Sequence, residues 1–264
     1  MSLTERQQSI LDRLQQCGQL TTEQLVQEFG VTPQTVRRDI NELCERALAR
    51  RHHGGLTLMD GRQNLSYRNR QILHSAPKQQ LAALAASQLQ PGMTLFLGYG
   101  TTVACLAQAL PEGLPLRVVT NNLQAIAILQ EKPWIETWLA GGRLRHGDQD
   151  LMSYQTLQFF HQFRADVAIC GVAGIDADGQ LYEFQPDEAE LTRTLWQQSR
   201  THWLLADHSK YQRHAPAWIG SLADVDSLFS DALGGSLQML CEQHGVSLHL
   251  APSVEVVGEC AGWM

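Results

Sequence analysis

GVTPQTVRRDINEL, residues 30–43, sets a glycine, a helix start, paired arginines and an apolar stripe in one short run. Thr32 offers a side-chain oxygen for an N-cap, and Pro33 suits the first helical position, where no amide hydrogen is needed. Val36, Ile40 and Leu43 recur at helical spacing and predict a core-facing stripe. Gln34, Arg37, Arg38 and Asn41 then share the opposite face. Arginine reads guanine edges and glutamine or asparagine reads adenine edges, so this face carries the donors and acceptors of base contact. A merely solvated face is the alternative for this segment taken alone.

Working outward, 4–17 (TERQQSILDRLQQC) places Ile10, Leu11 and Leu14 on one face and predicts a first helix closed by Gly18. QLTTEQLVQEFG predicts a short strand and a second helix, capped by Thr21 or Thr22, burying Leu25, Val26 and Phe29 and ended by Gly30. Helix, glycine turn, helix is the helix-turn-helix pattern, whose second helix enters the major groove. LARRHHGGLTL follows, and its Gly-Gly between strand-like segments predicts a hairpin with basic residues beside the turn. Such a hairpin is a wing lying along the phosphate backbone. The DNA-facing set is therefore Thr32, Gln34, Thr35, Arg37, Arg38 and Asn41 in the helix, with Arg51, His52 and His53 in the wing.

The whole chain has 264 residues, 44% apolar, and a net charge of −7. That length predicts one large or two unequal domains, and the composition is not that of a disordered chain. The overall acidity hides a local excess: between 37 and 51 stand Arg37, Arg38, Arg46, Arg50 and Arg51 against Asp39, Glu42 and Glu45. A duplex needs a basic surface only where it docks. No charged-then-apolar leader and no bilayer-length apolar run is present, so a soluble, cytoplasmic protein without a membrane partner is expected. Six widely spaced cysteines form no CxxC and no Cys/His metal spacing, so reduced thiols and no metal site are expected. Cys170 lies in an apolar strand-like run and reads as core.

Residues 1–57 read as the DNA-binding domain, 58–77 as a polar linker, and 78–264 as an α/β domain. In the last, MTLFLGYGTT, LRVVTNN, IETWLAGG, ADVAICGVAGI, HWLLADHSK, VDSLFSD and VSLHLAP alternate with helix-like runs such as TVACLAQAL. This alternation predicts a largely parallel sheet flanked by helices. Polar loops follow the strands: Gly100, Thr101 and Thr102; Thr120, Asn121 and Asn122; Gly141, Gly142 and Arg143; Asp207 and Lys210. In open α/β sheets ligands bind outside the carboxyl ends of strands, and helix N-termini favour anions. A small phosphorylated or carboxylated ligand is expected there.

These blocks together resemble the DeoR family of bacterial transcription regulators, most closely its glycerol-3-phosphate repressor branch. The resemblance covers nearly the whole chain. It rests on VTPQTVRRDINEL, RRHHGG, GTT (100–102), VVTNN (118–122), LAGGRLR (139–145), GIDADGQLYEF (174–184) and DHSK (207–210). It implies a winged helix-turn-helix repressor with a sugar-phosphate-isomerase-like sensor domain. The implied partners are operator DNA and a phosphorylated sugar or polyol inducer, with a homo-oligomer as the working form. Asp176 and Glu183 join the effector set. The chain departs from the family pattern at Gly98, where Asp is usual, at Ser153, where Gly is usual, and at Thr192, where Lys is usual. Such changes alter which charges or hydroxyls of an effector are complemented.

The competing reading is a sugar-phosphate isomerase-like enzyme with an accessory DNA-binding domain. Asp176, Glu183, Asp207 and Lys210 could then supply acid and base groups. Asp207 and Ser209 also suit a turn cap, Asp176 and Asp178 a DADG turn, and Lys210 a phosphate clamp. No nucleophile-plus-base arrangement is visible, so no catalytic residue and no cofactor is assigned.

Overall fold

The computed structural model of the chain describes residues 3–57 and 65–252. After His74 the chain passes from one compact unit to a second.

In the first unit, Thr4 caps α1 (Glu5–Cys17) reciprocally with Gln7, and Gly18 ends the helix. Strand β1 (Gln19–Thr21) leads into α2 (Thr22–Phe29), capped by Thr21 and ended by Gly30 in the left-handed conformation. The glycine lacks the Cβ that makes this conformation costly elsewhere. Helix α3 (Pro33–Glu45) follows, with Thr32 as N-cap and Pro33 in its first turn. Val36, Ile40 and Leu43 are buried against Ile10, Leu11, Leu14 and Leu25. Each such side chain stabilises by about 1.5–3 kcal/mol. Val26 and Phe29, expected to be buried, are half-buried at the margin of this core.

The wing consists of β2 (Arg50–His52) and β3 (Gly55–Thr57), with β3 also pairing antiparallel with β1. The two glycines expected at its turn have different duties. Gly54 adopts a positive φ of 79° in the turn, whereas Gly55 lies in β3, where an added Cβ would stand 1.9 Å from the Leu20 carbonyl oxygen. Part of the stretch read as a linker forms α4 (Tyr67–Ile72), capped by Ser66, and 58–64 fall outside the described residues. Asn69 fixes α4 by donating to the carbonyls of Arg46 and Ala47. A buried asparagine bonding backbone outweighs the weak periodicity of that stretch.

The second unit opens with α5 (Ser75–Ala86) and continues with β4 (Thr94–Leu97), α6 (Thr101–Ala109), β5 (Leu116–Thr120), α7 (Leu123–Leu129) and β6 (Ile135–Leu139). A small hairpin of β7 (Leu144–Arg145) and β8 (Asp150–Leu151) precedes α8 (Tyr154–Phe160) and β9 (Ala165–Cys170). Then come β10 (Gly174–Ile175), β11 (Gln180–Glu183), α9 (Pro186–Gln197), β12 (Ser199–Leu205), β13 (Ala217–Ser221), β14 (Ser227–Ser230), α10 (Gly235–His244) and β15 (Ser247–Leu250). The main sheet has the order β15-β14-β12-β9-β4-β5-β6, and every pairing in it is parallel. Its seven strands are the seven expected from the sequence. The antiparallel side sheet β10-β11-β13 was not foreseen as strands. These segments are short, and the turn residues of GIDADGQ mask their alternation.

Side chains alternate across a strand, so one sheet supplies two cores. Leu95, Leu97, Val118, Val167 and Ile169 pack with Leu81, Val103, Leu106 and Ala125 of α5, α6 and α7. Phe96, Val119, Ala168 and Cys170 pack on the other face with Phe160, Leu191, Leu195 and Leu237 of α8, α9 and α10. Burial pushes the Cys170 thiol up to about 12, with Glu183 adding to the shift, as befits an inert core residue. Cys44, Cys105, Cys170 and Cys241 are free, but Cys17 is disulfide-bonded, contrary to the expectation of reduced thiols throughout. No described helix is long and apolar enough to cross a membrane.

Candidate nucleic-acid interface and effector site

On α3, Gln34, Arg37, Arg38 and Asn41 are exposed while Val36, Asp39, Ile40 and Leu43 are buried. The acidic residues of this helix are largely engaged from within the unit. Asp39 is 1% exposed and accepts from Arg6 Nε at 2.6 Å, and Glu42 accepts from the Gln7 amide at 2.6 Å. Thr32 accepts from the Thr35 amide, and the two hydroxyls lie 2.9 Å apart. Thr32 and Thr35 thus build the helix start. Arg51 of the wing donates to Asn41 Oδ1 at 2.9 Å, joining wing to helix. Arg37 and Arg51 line one cleft with Thr22, Glu23 and Gly54. His52 and His53 are exposed beside it. The Thr22 hydroxyl and amide both donate to the Gly54 carbonyl, holding the wing turn at the start of α2.

In the second unit, parallel strands carry the polar loops to one rim. The chain runs outward from β4 to β5 and β6, then resumes on the other side of β4 with β9, which puts the topological switch between β4 and β9. Gly100 begins α6 at φ 97° and supplies no side-chain cap, while Thr101 and Thr102 are buried in its first turn. Thr120 donates to the Leu97 carbonyl. Asn122 caps α7 through its oxygen and donates to the carbonyls of Gly98 and Gly100. Both therefore hold the loops together. Asn121 donates to the Leu151 carbonyl, and its Oδ1 is a buried acceptor without a partner among the described residues.

Gly141 accepts from Thr156 Oγ1 at 2.8 Å. An added Cβ at Gly142, whose φ is 153°, would lie 2.3 Å from the same oxygen. Arg143 is exposed. Asp207 caps the turn that follows β12 by accepting from the Ser209 amide and hydroxyl, and Lys210 is half-buried in that turn. Asp176 lies in the turn between β10 and β11, accepting from the amides of Asp178 and Gln180 and from the Tyr182 hydroxyl. Glu183 is buried on β11.

Behind these loops lies a charge cluster. Arg145 donates twice to Asp150, at 2.7 and 2.6 Å, and once to Glu188, at 2.7 Å. Burial works against its charge, but Asp150 and Glu188 more than offset that and hold its pKa above the ordinary arginine value. The Arg145 guanidinium lies 5.9 Å from the centre of the Tyr99 ring, and the Tyr99 hydroxyl meets Thr192 Oγ1 at 3.3 Å.

Comparison with known proteins assigns both units. Residues 6–62 match the model of the DeoR-like helix-turn-helix domain, and residues 73–232 that of the DeoR C-terminal sensor domain. The chain belongs to the DeoR family. The glycerol-3-phosphate regulon repressor of Escherichia coli (strain K12) is 39% identical over 251 residues, covering 95% of this chain and all of that protein. The HTH-type transcriptional repressor CsqR of the same strain is 35% identical, over 88% of this chain and 91% of its own length. Among solved structures, ribose 5-phosphate isomerase A from Methanocaldococcus jannaschii is similar at TM-score 0.38 and 16% identity, over 51% of this chain and 53% of that one. This DeoR-family chain is a regulator of transcription rather than an enzyme.

The sequence singled out the glycine and threonine loops but missed Tyr99, Arg145, Asp150 and Glu188. Arg145 stood inside LAGGRLR, yet Glu188 is 43 residues away, and no spacing rule connects them. Of the three departures, Gly98 donates to the Ile169 carbonyl in the switch region and Ser153 begins α8. Thr192 is the buried partner of Tyr99.

Proposed function

We propose that this DeoR-family regulator represses genes of carbohydrate or polyol metabolism. It does so as a cytoplasmic homo-oligomer that leaves its operator when a phosphorylated small molecule, glycerol 3-phosphate or a sugar phosphate, binds the second unit. The outward face of α3 and the wing contact the duplex. Gln34, Arg37, Arg38 and Asn41 face the bases, and Arg51, His52 and His53 face the phosphates. The observation that carries the effector reading is the start of α6, where Gly100 supplies no side-chain acceptor and two buried threonines, Thr101 and Thr102, occupy the first turn. Helix amides and a dipole favour an anion there. Thr101, Thr102, Asn121, Arg143 and Lys210 surround that anion. Thr120, Asn122, Gly141, Gly142, Asp176, Glu183 and Asp207 shape the loops around it. The name of the 39% identical relative supports glycerol 3-phosphate as the first compound to test.

A ligand that binds only the native state raises the melting temperature by mass action. Phosphorylated sugars, polyols and sugar acids are therefore screened by thermal shift on the wild type and on Thr101→Val and Lys210→Ala. A phosphorylated compound should raise the wild-type melting temperature, its unphosphorylated parent should not, and both variants should lose most of the shift. Equal shifts in all three proteins would move the site elsewhere.

A further inference from the structure

We infer that Arg145 is a positioning residue for the effector response, tying the loop after β4 and the loop after β6 to α9. This rests on the effector reading above. The connections form a closed ring. Arg145 ends β7, the hairpin strand that directly follows Gly141, Gly142 and Arg143, and reaches Asp150 on the partner strand β8. Its third bond goes to Glu188, whose other oxygen accepts from the Gln185 amide at the start of α9. One turn farther along α9, Thr192 meets the Tyr99 hydroxyl, and the Tyr99 ring lies back over Arg145. Tyr99 is the residue before Gly100, so the ring includes the approach to α6.

A second set of contacts braces the hairpin against the loop after β5. Leu151 donates to the Asn121 carbonyl, and Asn122 and Asp150 form a β-bridge. Three strand-end loops are thus held through Arg145 and its carboxylates.

The chemistry requires arginine at this position. Asp150 and Glu188 are 1% and 2% exposed. Two buried carboxylates need a shared cation, and only a planar fork bonds one in bidentate fashion while reaching the other. Lysine keeps the charge but not the fork. With its donors directed at Asp150 and Glu188, Arg145 acts on an effector through the loops and not by contact.

The test uses the full chain and two readouts. In hydrogen exchange, Arg145→Lys should speed exchange by roughly tenfold in both 98–102 and 141–151, with β9, β12 and the first unit unchanged. Tyr99→Phe and Thr192→Val should each give a smaller effect at 98–102, and the double variant no more than either, because they remove one shared contact. Thr192→Ser should restore protection. Acceleration confined to 144–151, with 98–102 at the wild-type rate, would overturn the ring.

In the second readout, release from DNA by glycerol 3-phosphate should need roughly tenfold more effector in Arg145→Lys, with effector-free DNA affinity unchanged. An unchanged midpoint would overturn the link to the effector response. If glycerol 3-phosphate fails to release the wild type, it is the choice of effector that fails. The exchange result then still decides whether Arg145 holds both loops.

Discussion

Arg37 and Arg38 are adjacent in sequence and differ in surroundings. Arg38 lies 4.0 Å from Glu42 one turn on, while Arg37 lines the cleft shared with Arg51 and Gly54. An arginine reading a base edge costs about 1–3 kcal/mol when truncated and relaxes preference at one position, whereas one on phosphate weakens all sequences alike. Arg37→Ala and Arg38→Ala should each lower affinity for a preferred duplex, and Arg51→Ala should lower it for preferred and scrambled duplexes equally. Binding curves on both duplexes check this, and two silent helix variants would reduce α3 to a solvated surface. Gly55 gives a second test at this scale. Its Cα packs on the β1 backbone at Leu20, which no flexible side chain can yield to. Gly55→Ala should destabilise the first unit by at least about 1–3 kcal/mol in urea denaturation, as overpacking does. Wild-type stability would show that β1 and β3 can separate at little cost. The sequence marked Gly54 and Gly55 alike as turn residues. It could not separate turn from close approach, because β1 meets β3 only in the folded unit.

At the level of elements, those with their own periodicity or caps were legible. The Thr32 cap, the Gly30 stop and the Val36/Ile40/Leu43 stripe all act within one helix, and α3 follows them. The seven strands of the main sheet were legible because each is an apolar run ended by a polar loop. Elements stabilised by distant partners were not. Helix α4 depends on Asn69 bonding carbonyls 22 and 23 residues back, and the side sheet depends on β13. The strand-end loops have their own pH signature. The loops after β12 and β14 are joined by His208 Nδ1 and Asp231 at 2.5 Å, and that hydrogen bond raises the His208 pKa against a smaller opposing effect of burial. Asp207 adds to the rise. A raised folded value means the charged pair stabilises fully below the unfolded histidine value, about 6.5, and is lost as pH climbs through the folded one. The melting-temperature difference between wild type and His208→Gln should therefore be largest in mild acid and shrink with increasing pH. A difference that grows with pH would contradict the pairing.

For the whole molecule, an acidic chain must present a basic face to an acidic polymer. The net charge of −7 is overcome locally, because Asp39 and Glu42 are engaged by Arg6 and Gln7 while Arg37, Arg38, Arg50 and Arg51 remain exposed. Sequence counting found the basic excess but not the inward turn of those carboxylates, which depends on α1. A monomeric recognition helix spans few base pairs, so the account expects paired half-sites about 34–36 Å apart or a multiple of that. The most direct measurement is fluorescence anisotropy of the full chain on a duplex selected by the protein from random sequence, titrated across salt with and without glycerol 3-phosphate. Affinity should fall steeply and log-linearly as salt rises, because cations on α3 and the wing displace counterions from phosphates. Adding glycerol 3-phosphate, but not glycerol, should release the duplex. Affinity indifferent to salt, or failure to select any duplex, would contradict the central claim that α3 and the wing read operator DNA.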